Sequence, residues 1–194
     1  MSDRACRQYR YIPTKMQARS EESGPTIACY FAVFNTPTQL WPGCIEQIAP
    51  GAFASSLSGD VRALIDHETR LVLGRTIAGT LTLREDETGL FGEIKINQQD
   101  SDAMNLYARV QRGDVTQCSF GFDIIAEDYV MSDDGQTCTW TIHDLVLYEV
   151  SIVTFPAYEA TSAVARAEGD DNHLRQLRLE RRKQELKERI LKNA

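Results

Sequence analysis

No apolar run in this 194-residue chain approaches the roughly 20 residues that span a bilayer, and the opening MSDRACRQYR holds no apolar stretch of signal-peptide type. The expectation is a soluble intracellular protein with no membrane partner. Cysteine is sparse and scattered. Cys6, Cys29, Cys44, Cys118 and Cys138 are odd in number and contain no CxxC pair, which argues against both a disulfide framework and a zinc knuckle. They read as free thiols in a reducing compartment. Cationic side chains are outnumbered, 21 Lys/Arg against 28 Asp/Glu. Residues 167–194 hold eight of those Lys/Arg and six of the Asp/Glu, leaving 13 against 22 on residues 1–166. So acidic a body argues against nucleic acid as a partner, because phosphate contacts need clustered Lys/Arg. Histidine is limited to His67, His143 and His173, so imidazole chemistry has few possible sources.

What is present is a composition that is 42% hydrophobic and 25% charged, enough for one compact domain. The pattern predicts that domain over 1–166 and a charged helical tail over 167–194, where HLRQLRLERRKQELKERILK carries only a thin Leu/Ile stripe. Residues 15–34 read as a hairpin. EQIAPGAFASSL offers a Pro-Gly turn and then a short helix, and VRALIDH a short strand that ends in polar residues. LVLGRTIAGTLTLRED and GLFGEIKIN supply further strands. The clearest helix is 101–111, opened by Ser101 and closed by Gly113, with Ala103, Leu106, Tyr107 and Val110 on one face. Two long strands follow, separated by a turn at 132–135. The expected class is β-rich (α+β): a closed or nearly closed barrel with peripheral helices.

One residue breaks the apolar logic of these strands. In Cys118-Ser119-Phe120-Gly121-Phe122, alternation puts Cys118, Phe120, Phe122 and Ile124 on the core face and Ser119, Gly121 and Asp123 on the other, so Ser119 is expected to point away from the core, unburied. A nucleophilic serine needs a base. His67, between Asp66 and Glu68, is placed by its strand on a rim, where it is either a general base or a surface histidine. His173 lies in the charged tail and reads as solvated. If the 132–135 turn centres near Asp134, paired residue numbers sum to about 268, which sets Glu149 opposite Ser119. A carboxylate among the apolar residues of DLVLYEVSIV needs compensation. A protonatable histidine would supply it, and so would an arginine or backbone N–H groups. His143 shares strand parity with Glu149 but falls about six residues away along the strand, roughly 20 Å at strand rise. Asp66-His67-Glu68 is a poor metal site, since adjacent strand residues face opposite ways and no second histidine stands at ligand spacing.

PGAF at 50–53, ALIDHE with LGR at 73–75, GTLTLREDETGL at 79–90, RVQRGDV, CSFGF at 118–122 and YEVSIVTFPAY at 148–158 together resemble the prohead proteases of tailed bacteriophages, over roughly residues 15–160. That family is similar in fold to the herpesvirus capsid-maturation proteases, a closed β-barrel wrapped by helices. The resemblance implies a serine endopeptidase with Ser119 as nucleophile and His67 as base. Its third member is an acidic residue that best matches Glu149, with His143 as the fallback; Asp66 and Glu68 are further carboxylates beside the imidazole. It implies no cofactor and no metal. The implied partners are the major capsid protein with its scaffold region and the enzyme itself, within the procapsid in the host cytoplasm, with a homodimer as a further possibility. Backbone N–H groups around Gly74-Arg75 or Gly121 are candidates for the oxyanion site. The alternative is a capsid- or scaffold-associated barrel without catalysis.

Overall fold

The computed structural model describes residues 7–21 and 24–155, which fall within one compact unit, Met1–Pro156. The expected tail at 167–194, the boundary at 166, His173 and Cys6 lie outside the described residues. The described chain is mostly strand: β1 (Gln8–Pro13), β2 (Gln17–Glu21), β3 (Gly24–Val33), β4 (Thr38–Trp41), β5 (Cys44–Ile48), β6 (Arg62–Ile65), β7 (Glu68–Arg75), β8 (Leu81–Glu85), β9 (Gly89–Lys95), the helix α1 (Ser101–Arg112), β10 (Gln117–Met131) and β11 (Cys138–Val153).

The strands form two sheets, not the closed barrel expected. A seven-stranded sheet runs β1-β10-β11-β5-β4, with β6 pairing β11 and β7 pairing β6, and a four-stranded sheet runs β2-β3-β9-β8. Alternating apolar and polar residues define an inner and an outer face equally well for a barrel and for two packed sheets. Closure depends on pairing between distant edges, which no local pattern encodes. The inner faces meet in one core, where Ile27, Cys29 and Phe31 from β3 and Ile94 from β9 lie against Phe120, Phe122, Val150 and Ile152 from β10 and β11.

The helix answers its sequence signals closely. Ala103, Leu106, Tyr107 and Val110 are all buried, and Gly113 takes the left-handed conformation at φ 88° that ends the helix. The N-cap is Asp100, one residue before the expected Ser101. Its carboxylate accepts from the backbone N–H of Asp102 at 2.9 Å and of Ala103 at 3.2 Å.

The strand β11 organises the larger sheet. Its first part, Cys138–Ile142, pairs in parallel with β5; its last part, Glu149–Ile152, pairs in parallel with β6. The segment between those two partners, expected to contain a short helix, is instead a series of tight turns, with Ala52 N–H donating to Ala49 O, Ala54 N–H to Gly51 O and Ser56 N–H to Phe53 O. Ala52 O and the Ser56 hydroxyl turn instead to β11. Leu145 N–H donates to Ala52 O, the Ser56 hydroxyl donates to Leu145 O at 2.8 Å, and Leu147 N–H donates to the Ser56 hydroxyl at 2.9 Å. This bridge satisfies the β11 backbone where β5 has ended and β6 has not begun.

The free-thiol expectation needs one correction. Cys44 and Cys138, direct neighbours in the parallel pairing, are joined in a disulfide across a separation of 94 residues. No spacing rule reveals a pair that only a crossover brings together. Cys29 and Cys118 are free and buried.

Candidate active site

Position 119 is where β1, β10 and β11 lie side by side. Ser119 is the ladder partner of Tyr11 on one side and Ser151 on the other; two residues on, Gly121 stands between Tyr9 and Glu149. The hairpin register therefore differs by two from the expected one, because paired numbers sum to 270 at Ser119. Half of the difference comes from the turn: Met131 pairs with Cys138. The other half is a bulge. Phe122 pairs with Leu147 and Gly121 with Glu149, leaving Tyr148 as the extra residue. A shift of two preserves side-chain parity, so Glu149 stays on the Ser119 face as a diagonal neighbour.

His67 reaches this face from a turn and not from a strand end. β6 stops at Ile65, which pairs with Glu68, and Asp66 and His67 form the two-residue loop between β6 and β7 with φ of 47° and 60°. Positive φ at both loop residues is what a type I′ hairpin turn requires. Asp and His tolerate it better than most residues, but non-glycine residues there cost on the order of 1–3 kcal/mol each. Asp66 offsets that strain with a clamp. Its backbone N–H donates to Ile152 O at 3.0 Å, and its carboxylate accepts from Thr154 N–H at 2.7 Å and from the Thr154 hydroxyl at 3.1 Å. Asp66 thus orients the turn and does not touch the imidazole. Glu68 extends outward, 3.8 Å from Arg70, so the three consecutive residues do not converge.

The His67 ring folds back over the outer face of the sheet. Its Nδ1 lies 2.6 Å from Glu149 Oε1, and it packs edge-on against Tyr9 at 4.6 Å and Tyr11 at 5.5 Å between ring centroids. This cover explains why Ser119 is fully buried, contrary to the expectation from alternation, although it does face away from the core. Arg62, the ladder partner of Glu149 on β6, turns instead to Asp60 at 3.2 Å. Glu149 is thus compensated by an imidazole, and its second oxygen accepts from the Ser151 hydroxyl at 2.5 Å. With Nδ1–H directed at the carboxylate, Nε2 carries the lone pair. His67 Nε2 and Ser119 Oγ are both buried, and neither makes a hydrogen bond among the described residues.

The remaining candidates lie elsewhere. His143 is half-exposed and bonds Asp128 at 2.9 Å, away from Ser119 along the hairpin. The backbone N–H of Arg75 donates to the Thr80 hydroxyl, and its guanidinium is held by Asp60, which raises its pKa further as Asp60's is lowered. The Gly74-Arg75 segment therefore lacks a free Arg75 donor for an oxyanion. Sequence reasoning passed over Ser151, whose signal is the Glu-x-Ser spacing that puts a hydroxyl on the same strand face as the carboxylate. It also passed over the two β1 tyrosines, since β1 itself went unrecognised.

An imidazole held against a buried carboxylate and folded over a strand that carries a serine brings together the residue types that a serine hydrolase site uses. The sequence profile of the caudovirus prohead serine protease family matches residues 13–176, and the chain belongs to that family. It is also 32% identical over 122 residues to the prohead protease of Enterobacteria phage HK97, an overlap of 61% of this chain and 51% of that protein. The chain thus matches about half the length of that relative. No solved structure matches it.

Proposed function

We propose that this protein is a serine endopeptidase of phage head maturation, with Ser119 as nucleophile, His67 as general base and Glu149 as the residue that orients the base. The observation that carries the reading is the 2.6 Å contact between His67 Nδ1 and Glu149 Oε1 on the face that bears Ser119. Substrate entry brings Ser119 Oγ to Nε2. As Oγ forms its bond to the peptide carbonyl carbon, the hydroxyl proton moves to Nε2 and the carbonyl electrons move to oxygen. Collapse breaks the C–N bond, and the amine leaves with the proton from Nε2. Water then repeats the cycle on the acyl-enzyme, releasing the acid and restoring Ser119. Glu149 balances the imidazolium formed in each half.

The substrates in this reading are the scaffold region of the major capsid protein and the enzyme itself, cleaved inside the procapsid in the host cytoplasm. Kinship to the herpesvirus capsid proteases enters as fold-level analogy, as does a homodimer. In this reading the charged residues 167–194 dock to the scaffold or are removed by self-cleavage. Coexpression with the capsid protein, followed by intact-mass measurement of the products, tests the reading. Ser119→Ala and His67→Asn should each abolish the fragments without unfolding the protein; wild-type processing by purified Ser119→Ala refutes it. The noncatalytic alternative draws on one observation, the complete burial of Ser119, and covalent labelling of Ser119 by a fluorophosphonate excludes it.

A further inference from the structure

The Glu149 carboxylate sits in a seat made by two further residues, Ser151 and Gly121. On one side, the Ser151 hydroxyl donates to Oε2 at 2.5 Å, from a position that is fully buried. Beneath it lies Gly121, the ladder partner of Glu149. A Cβ at Gly121 would stand 2.6 Å from Glu149 Oε1, 3.3 Å from its Cδ and 2.9 Å from Tyr9 Cε1, closer than van der Waals contact allows. The carboxylate therefore occupies the space that any other residue at 121 would fill.

We propose that Ser151 and Gly121 are positioning residues for the base: Ser151 fixes the plane of the Glu149 carboxylate, and Gly121 leaves the space in which that carboxylate meets His67. The proposal rests on the reading of Ser119, His67 and Glu149 given above. The terminal torsion of a glutamate is broad and weakly held, so an unanchored carboxylate would present Oε1 to Nδ1 only part of the time. A hydrogen bond to Oε2 removes that freedom. It also separates two serines that face each other in the ladder: the Ser151 proton is committed to Glu149, whereas the Ser119 hydroxyl makes no hydrogen bond among the described residues.

The test uses the full chain, diisopropyl fluorophosphate as the probe, peptide mass mapping of the adduct, and the downfield proton resonance of His67 Nδ1–H. In the wild type the adduct should map to Ser119. Ser151→Ala, which removes one oxygen atom, should slow phosphorylation of Ser119 about 10- to 100-fold, the cost that losing an outer orienting bond carries at metal-ligating histidines and carboxylates, and should move or broaden the downfield resonance. Gly121→Ala should do the same with a larger loss. Labelling of Ser119 in Ser151→Ala at the wild-type rate, with the resonance unmoved, overturns the positioning role and leaves the nucleophile assignment standing. An adduct on Ser151, or none on the wild type, overturns the assignment and the positioning role with it.

Discussion

The larger sheet buries two glutamates in similar strand settings, and they are met by different partners. Glu46 on β5 flanks the first part of β11 and is 1% exposed; Glu149 is on the last part and is 7% exposed. Glu46 is met by the guanidinium of Arg10, whose Nε and Nη2 bond its two oxygens, the latter at 2.8 Å. Glu149 is met by an imidazole and a hydroxyl. Guanidinium stays charged at every pH a protein meets, so the Glu46 pair is fixed. An imidazole has one nitrogen that can accept a proton while the other bonds the carboxylate, so the Glu149 pair has the groups that a proton transfer needs. A buried carboxylate therefore does not mark a reaction site by itself; its partner decides.

Breaking each pair should separate these roles. Glu149→Gln keeps the shape and a hydrogen bond to His67 but removes the charge that supports the imidazolium. It should lower kcat about 10⁴-fold, as such amide substitutions do when they leave the base in the wrong tautomer, with a melting temperature close to wild type. A capsid-protein cleavage assay beside thermal denaturation reads both. Arg10→Ala should do the reverse. It removes the guanidinium that bonds both oxygens of the buried Glu46, and breaking a buried pair costs up to about 3–5 kcal/mol of stability, while cleavage per folded molecule stays within a few-fold of wild type. If Arg10→Ala lost activity at full stability, the division between a structural and a chemical glutamate would fail.

Which residues share the candidate site was more legible in the sequence than the architecture that holds them. Ser119 and Glu149 were legible because alternation fixes the face each residue occupies, and parity survived a register error of two. His67 was legible as an imidazole on a polar rim, but not as the second residue of a positive-φ turn, because neither Asp nor His signals that conformation as glycine does. The closed barrel failed for the reason the Cys44–Cys138 pair was missed. Both depend on which distant strands become neighbours, and β11 takes two parallel partners through crossovers that no hairpin arithmetic reaches. Glu46 stood inside EQIAPGAF without any sign of its burial, since its partner Arg10 lies 36 residues away in a strand the pattern did not reveal.

Cys118 carries the comparison to a third buried titratable group, one residue from Ser119 and on the opposite face of β10. Here burial is the main influence. Removal from water pushes the thiol pKa well above its usual range, with neighbouring Cys29 adding to the shift through a side-chain hydrogen bond and its charge. Since the thiolate is the reactive species, native Cys118 should resist iodoacetamide at pH 8 and react once urea unfolds the chain. The linkage has a definite sign. Above the unfolded thiol pKa of about 8.5, the unfolded chain releases a proton that the folded chain keeps. The folded state then binds more protons, and stability falls as pH rises. Denaturant titrations at pH 7 and pH 10 should show a smaller loss for Cys118→Ala than for wild type, and equal losses would mean that this thiol is not held neutral by its burial. A nucleophilic atom on the core face of β10 is thus kept inert by the same strand that carries Ser119 to the face where His67 waits.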